Sequence, residues 1–187
     1  LQQRFPDSLT LGLALGTLYE DHDAYPEAIA CYRALLSRVP QKESLLRRLL
    51  ALHERDRDWA AVRQVAGDLL AQVAPEPGLL LTLARAAQQA GDFAAATGCY
   101  EQVLRLEQDN MEAYRQLLEI GRYYAAHARH AEAMAVFRQL LDLTLFDKVE
   151  VRFELGRALA ALAQHDEAIT HLQQVKRGNA LMRWQAR

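Results

Sequence analysis

The chain has 187 residues, of which 51% are hydrophobic and 7% aromatic, and its formal net charge is −2 at pH 7. This length and apolar content suffice for a buried core. The small net charge disfavours nucleic-acid binding, because proteins that bind phosphate backbones normally carry a basic excess. No apolar run reaches the roughly 18 residues of a membrane span, and no signal peptide is present. We therefore expect no nucleic-acid partner and no membrane insertion in this segment.

Residue usage predicts an all-α fold. Much of the apolar content is Leu and Ala, which are strong helix formers. The chain has only 5 prolines, and no run of alternating β-branched residues indicates a strand. The two cysteines, Cys31 and Cys99, are too few for a disulfide framework. Unpaired thiols favour a reducing compartment, so we expect a cytoplasmic protein.

The chain begins LQQRFPDS, without methionine. Pro6 precedes Pro40 by one 34-residue period, so residues 1–8 are expected to be the tail of a preceding repeat. The chain is then expected to be a fragment of a longer array, so that a targeting signal could have been removed with the missing part.

Residues 11–40 carry the pattern that repeats along the chain. Their apolar spacing predicts two short amphipathic helices, one over 9–21 and one over 24–38. Pro26 falls in the first turn of the second helix, where a missing N–H has little effect. The small apolar residue of the second helix recurs at intervals of 34, 34, 37 and 35 residues, at Ala28, Val62, Ala96, Ala133 and Ala168.

This pattern resembles the tetratricopeptide repeat, a helix–turn–helix unit of 34 residues. Its first helix shows Leu15, Gly16 and Tyr19, and its second shows Ala28 and Tyr32. The resemblance implies an all-α, right-handed α-solenoid in one domain. We predict five repeats at about 9–42, 43–76, 77–110, 111–148 and 149–182, with 183–187 beginning a further helix or forming a cap.

Two repeats depart from the pattern. In the second, Leu50 replaces the small residue of the first helix. In the fourth, three extra residues are expected to lengthen the first helix through Tyr123 and Tyr124 towards His127. In the fifth the pattern returns, and Gly156 is predicted to lie where the two helices of that repeat touch. The aromatic series Tyr32, Tyr100 and Phe137 is predicted to fill the core.

Catalytic and metal chemistry are not indicated. The nearest histidine pair, His127 and His130, straddles a predicted turn, and no Cys, Asp or Glu joins it at ligand spacing. No phosphate loop, nucleophile elbow or zinc-protease motif occurs. We expect no enzyme activity, no cofactor and no metal.

Family resemblance places the polar residues of each first helix on the concave side of the array. The partner-binding candidates are Arg47, Glu54, Arg85, Gln89, Arg115, Arg122 and Arg157. A guanidinium can fork onto a carboxylate, so an acidic segment or a C-terminal carboxylate is the expected ligand. The alternative is that Glu119–Arg122 and Glu154–Arg157 simply pair along their helices.

The resemblance implies a non-catalytic protein–protein interaction scaffold that binds a partner segment in the concave groove. Chaperone-binding relatives hold a C-terminal carboxylate with Lys and Asn at places that are Leu13 and Thr17 here, so that clamp is absent. Two alternatives stay open: a structural module that self-associates through its repeat ends, and a regulatory arm of a larger enzyme or of an assembly or export protein.

Overall fold

In the computed structural model, residues 9–146 and 148–185 are described, and their regular structure is entirely helical. The helices are α1 (Leu9–Asp21), α2 (Tyr25–Leu36), α3 (Glu43–Asp56), α4 (Trp59–Leu70), α5 (Pro77–Gln89), α6 (Phe93–Leu106), α7 (Met111–Ala126), α8 (His130–Leu143), α9 (Val149–Ala161) and α10 (His165–Gln185). The odd-numbered helices are the A helices of the predicted repeats and the even-numbered ones are the B helices. The predicted tail over residues 1–8 lies outside the described residues.

The helix bounds agree with the sequence pattern. The first predicted pair is observed as α1 and α2, with Pro26 in the first turn of α2. Helix α7 has 16 residues, against 13 in α9 and 14 in α3, so the extra residues of the fourth repeat do lengthen its A helix. Near the C terminus, α10 continues without a break to Gln185, where a new helix or a cap was expected.

Every A helix is followed by a turn that contains one left-handed residue. These residues are Asp23, Arg57, Gly91, Ala128 and Ala163, with φ between 56° and 76°. They recur at the intervals seen for the small residue of the B helices. A single left-handed residue is the usual way to end a helix and reverse the chain. Only the third turn uses glycine, the residue that adopts this conformation without steric cost.

In the first, fourth and fifth repeats, a glycine of the A helix contacts a large side chain of the B helix. A Cβ placed on Gly16 would lie 2.5 Å from the Tyr32 ring, and one on Gly121 would lie 2.4 Å from the Phe137 ring. At Gly156 the same test gives 2.8 Å to Leu172, which confirms the predicted contact. The recurring small residue of the A helix therefore makes room for the core side chain of the B helix.

The helices form two compact units. Unit 1 comprises Leu1–Pro75 with Arg85–Gly91, and unit 2 comprises Glu76–Ala84 with Asp92–Arg187. The core of unit 1 is built on Tyr32, Leu49, Val62 and Leu69, all fully buried. Its α4 begins at Asp58, whose side chain accepts a hydrogen bond from the Ala61 amide, the normal role of an N-cap residue.

The core of unit 2 is built on Tyr100, Leu117, Phe137 and Leu155, again fully buried. The predicted core role of the Tyr32, Tyr100 and Phe137 rings is thus confirmed. Two of its helices have side-chain N-caps, Asp92 for α6 and Asn110 for α7. These contacts fix where α6 and α7 begin.

Candidate functional site

The A helices α7 and α9 of unit 2 are joined by Arg122. Its Nη2 donates to Glu150 Oε1 at 2.5 Å and its Nε donates to Glu154 Oε1 at 3.1 Å, both on α9. Its Nη1 donates to Glu119 Oε1 at 3.0 Å on its own helix. Arg122 was predicted to bind a partner, with pairing to Glu119 along its helix as the alternative, and the structure shows it bonded to three carboxylates.

The protonation equilibrium of Arg122 reflects these contacts. Partial burial disfavours the charged guanidinium, but the hydrogen bonds to Glu150, Glu119 and Glu154 favour it more, and the pKa of Arg122 is raised. The guanidinium stays charged at every ordinary pH. Charge-assisted hydrogen bonds of this kind are stronger than neutral ones, so Arg122 stabilises the contact between α7 and α9.

Arg157 differs from Arg122 in its exposure. Its Nη1 donates to Glu154 Oε2 at 3.3 Å, and 66% of its side chain is exposed. Its guanidinium lies 5.9 Å from the ring of Phe153, which is itself 45% exposed. The helix pairs Glu119–Arg122 and Glu154–Arg157 are thus both formed, yet Arg157 still presents most of its surface to solvent.

A hollow of about 400 Å³ lies between α7 and α9, beside the start of α8. Its polar lining comes from Arg122, Glu154, Arg157 and His130. Its apolar lining comes from four alanines of α7 and α9: Ala125, Ala126, Ala158 and Ala161. Alanine methyl groups leave space that larger side chains would fill, so this part of the A-helix face is an open hollow with both apolar and charged lining.

The A helices of unit 1 are also linked by charged contacts. Arg48 Nη1 of α3 donates to Glu20 Oε2 of α1 at 2.9 Å and to the Tyr32 hydroxyl at 3.0 Å. The Tyr32 hydroxyl in turn donates to Glu20 Oε2 at 2.6 Å. The same carboxylate therefore joins α1, α2 and α3, and Tyr32 combines a buried ring with a polar contact at its tip.

The other predicted binding residues are dispersed. Arg47 pairs with Glu43 along α3 at 2.9 Å. Glu54 and Arg85, both in unit 1, approach to 3.7 Å. Gln89 and Arg115 are exposed. Of the seven predicted residues, the structure brings Arg122 and Arg157 together at one hollow.

Sequence reasoning missed the alanines and His130 as lining residues. Alanine is the expected filler of a helix, so nothing marked these four as special. A signal does exist, because Ala125 with Ala126 and Ala158 with Ala161 are small residues at the C-terminal halves of two consecutive A helices.

Within the described residues, no group of three His, Cys, Asp or Glu side chains is placed to hold a metal ion. No described helix is long and apolar enough to span a bilayer.

Paired helices whose contacts recur with a near-constant period define a helical-repeat protein. Two profiles described as tetratricopeptide repeat match the sequence, over residues 81–147 and 150–177. The chain belongs to the tetratricopeptide repeat family, and its fold class is the α-solenoid of that family. A sequence search of curated proteins finds no significant match.

Solved structures of tetratricopeptide proteins have the same fold. The MamA protein is similar with a TM-score of 0.55 at 15% identity, over 89% of this chain and 88% of that one. YrrB, described as a tetratricopeptide protein with an unusual peptide-binding site, has a TM-score of 0.54 at 13% identity, over 93% of this chain and 88% of YrrB. A tetratricopeptide protein from Parabacteroides merdae has a TM-score of 0.52 at 14% identity, over 94% and 81%. At these identities the likeness concerns the fold alone.

Proposed function

We propose that this chain is a non-catalytic scaffold that binds a segment of a partner protein across α7 and α9. The tetratricopeptide fold is in general that of a protein–protein interaction scaffold. The observation that carries the proposal for this chain is the hollow of about 400 Å³ between the two A helices. Its volume lies within the range of natural binding pockets, and its mixed lining suits a side chain with both apolar and polar atoms.

The lining restricts the chemistry of the segment. The four lining alanines can accommodate an apolar or aromatic side chain of the partner. Three glutamates already surround Arg122, so a ligand carboxylate approaching it would meet like charges. Arg157, which is 66% exposed, is the better cation for a carboxylate. We therefore expect one carboxylate beside an apolar anchor, rather than a strongly acidic segment.

The peptide-binding site described for YrrB agrees with a role of this kind, although only the fold is shared. An anchor side chain that binding buries in such a hollow contributes more to affinity than contacts at the edge of the interface.

A phage-displayed peptide library selected on the purified chain tests this function. The selected peptides are then titrated against wild type and two matched variants, Ala161→Leu and Ala160→Leu. Both alanines are exposed on α9, but only Ala161 lines the hollow. Filling the hollow should weaken binding by about 10-fold or more, whereas Ala160→Leu should have little effect. Equal affinities of the two variants would place the bound peptide elsewhere and overturn the proposal.

A second candidate function is self-association, and α1 favours it. Leu13 and Leu18 of α1 are 39% and 51% exposed, and exposed apolar side chains on a repeat helix suit stacking on another copy. Sedimentation velocity at increasing protein concentration separates the candidates. A dimer that is lost in Leu18→Ser supports self-association, and a monomer at high concentration excludes it.

A further inference from the structure

Helix α9 carries an apolar residue on either side of Arg157, about one helical turn away in each direction. Phe153 precedes Arg157 by four residues, and Ala161, which lines the α7–α9 hollow, follows it by four. Residues four apart on a helix are neighbours along one ridge of its surface. We call these three residues the α9 ridge.

All three residues of the α9 ridge are open to solvent. The side chain of Arg157 is 66% exposed and Phe153 is 45% exposed, and Ala161 is also exposed. The guanidinium carbon of Arg157 lies 5.9 Å from the ring centre of Phe153, so the cation and the ring can contact the same ligand. A phenyl ring that is nearly half exposed offers apolar surface that a partner can remove from water.

The charges beside the α9 ridge restrict where a ligand can carry an acid. On the α7 side, Arg122 is already bonded to three carboxylates. One of them, Glu154, also accepts from Arg157 but is only 11% exposed. Another, Glu150, is 53% exposed and precedes Phe153 by three residues, about one turn. A ligand carboxylate is therefore favoured at Arg157, in the middle of the ridge, and disfavoured at the end near Glu150.

The other basic side chains of this region do not change that pattern. Burial, and with it the charge of Arg152, lowers the pKa of His171 on α10, which places Arg152 on the α10 side of α9. Lys148, just before α9, donates to a backbone carbonyl of α8. His130 lines the hollow itself. Arg157 is thus the exposed cation of the ridge, between two apolar residues.

We propose that the partner segment lies extended along the α9 ridge and carries an apolar, an acidic and a second apolar residue at alternate positions. This inference rests on the function proposed above, because the hollow holds one of the two apolar residues. Four residues of α9 advance about 6 Å, and two residues of an extended chain advance about 6.6 Å. Alternate side chains of the segment therefore meet Ala161, Arg157 and Phe153 in turn. A helical segment could not make these contacts, since its residues two apart do not share a face.

Two peptides of identical composition test this register. Their cores are Phe-Ser-Glu-Ser-Phe and Phe-Glu-Ser-Ser-Phe, and both are acetylated and amidated so that their termini carry no charge. In an extended chain the first peptide has its glutamate on the same side as both phenylalanines, and the second has it on the opposite side. Each carries the same uncharged dye, and fluorescence anisotropy measures its affinity.

The peptides are titrated against wild type, Phe153→Ser, Arg157→Ala and the matched control Leu106→Ser. Leu106 is 53% exposed at the end of α6, so its variant removes a comparable apolar side chain away from α9. Phe153→Leu keeps an apolar side chain on the ridge and serves as the conservative variant, should Phe153→Ser melt at a lower temperature.

Wild type should bind the first peptide about 10-fold more tightly than the second, because only the first presents its carboxylate to Arg157. Arg157→Ala should abolish this preference. Phe153→Ser should weaken binding of the first peptide by about 10-fold, Phe153→Leu should weaken it less, and Leu106→Ser should bind as wild type does. A wild type that binds both peptides equally, or binds neither, would overturn the proposal. Equal affinities of Phe153→Ser and Leu106→Ser would overturn it as well.

Ala161→Leu separates this inference from the function on which it rests. If Ala161→Leu weakens binding of the library-selected peptides and Phe153→Ser does not, the hollow binds a partner but the segment does not follow the α9 ridge. If Ala161→Leu leaves their affinity unchanged, the proposed function fails and the ridge proposal fails with it. A dimer of the chain alone that Phe153→Ser abolishes would also overturn the proposal, because a second copy would then cover Phe153.

Discussion

Arg122 Nε on α7 donates to Glu154 Oε1 on α9 across 3.1 Å, between residues 32 positions apart in the chain. The Glu154 side chain is only 11% exposed, and its second oxygen accepts from Arg157. One shielded carboxylate therefore neutralises part of two guanidiniums. The charged residues of this A-helix face therefore stabilise the contact between the fourth and fifth repeats in the absence of a ligand.

Replacing Arg122 with Ala should destabilise the chain by about 1 kcal/mol. This lies between the small contribution of an exposed ion pair and the larger one of a buried pair, because Glu154 loses a partner while Glu119 and Glu150 stay half exposed. Urea denaturation measures the change. Arg129→Ala is the control, since the Arg129–Glu132 pair is exposed on both sides and should contribute under about 0.5 kcal/mol. An equal loss of stability in the two variants would contradict the role of Arg122 in stabilising the α7–α9 contact.

Gly121 should tolerate a methyl group less well than Gly156. A Cβ on Gly121 would lie 2.4 Å from the ring of Phe137, which is fully buried. Gly121→Ala should cost about 1–3 kcal/mol by overpacking. At Gly156 the contact is with Leu172, which is partly exposed and can change rotamer, so Gly156→Ala should be nearly neutral and Gly156→Leu clearly destabilising.

Gly98 is the matched control for the glycine substitutions. A Cβ there meets nothing within 4 Å, so Gly98→Ala should stabilise α6 by about 0.5–1 kcal/mol through helix propensity. Thermal melts of Gly98→Ala, Gly156→Ala and Gly121→Ala should show melting temperatures that decrease in this order. A Gly121→Ala protein that melts at or above wild type would show that the ring can move.

The helical array could be predicted from the sequence because the residue pattern that specifies its helices and their contacts recurs at a near-constant interval. The positions of Gly16 and Gly156 on the A helices, facing Tyr32 and Leu172, follow from the repeat pattern, whereas the three extra residues of the fourth repeat left the place of Gly121 open. The i,i+3 pairs Glu119–Arg122 and Glu154–Arg157 also follow from helix geometry.

The contacts between repeats could not be predicted in the same way. Whether Arg122 reaches Glu150 and Glu154 depends on the spacing and rotation of α7 against α9. The longer α7 shifts that register, and residue spacing alone does not fix it. The hollow likewise exists because alanines of two separate helices happen to face each other.

The left-handed turn residues predict a stabilising substitution. Ala163 has φ of 59° after α9, a conformation that costs a residue with a Cβ free energy and glycine almost none. Ala163→Gly should raise the free energy of unfolding by about 0.5–1 kcal/mol, less the extra entropy of glycine in the unfolded chain. The reciprocal change, Gly91→Ala at φ of 76°, should lower it by a similar amount. Denaturant midpoints measure both, and a loss of stability in Ala163→Gly would contradict the explanation.

His53 should make the stability of the chain fall in mild acid. The ring is buried, with Arg33 Nη2 3.1 Å from its Nε2 and Asp58 Oδ2 3.6 Å from its Nδ1. Burial first, and then the charge of Arg33, lower the pKa of His53 below its usual 6.5, against the opposing effect of Asp58 and Asp56.

Because the folded pKa of His53 is the lower one, the unfolded chain binds the proton first as pH falls. Stability should be complete above about pH 6.5 and decrease below it. Urea titrations at pH 7.5, 6.5 and 5.5 measure this slope, which His53→Gln should reduce. Burial also lowers the pKa of His171, so the double variant His53→Gln with His171→Gln should be flatter still. A slope unchanged in the double variant would assign it to other groups.

Substitutions of Arg157 should change the affinity for a partner without changing the stability of the chain, unlike substitutions of Arg122. Arg157 is 66% exposed and makes one hydrogen bond of 3.3 Å to a carboxylate, so Arg157→Ala should leave the melting temperature nearly unchanged. If the selected peptide places its carboxylate on this guanidinium, Arg157→Ala should weaken binding by about 1–3 kcal/mol. Arg157→Lys should restore only part of that affinity, because an ammonium offers a point charge where a guanidinium offers a fork. Isothermal titration at two salt concentrations measures the loss, which should shrink as salt rises. If the Arg157 variants bind as wild type does and Arg122→Ala binds weakly, the carboxylate of the peptide is recognised by Arg122 instead.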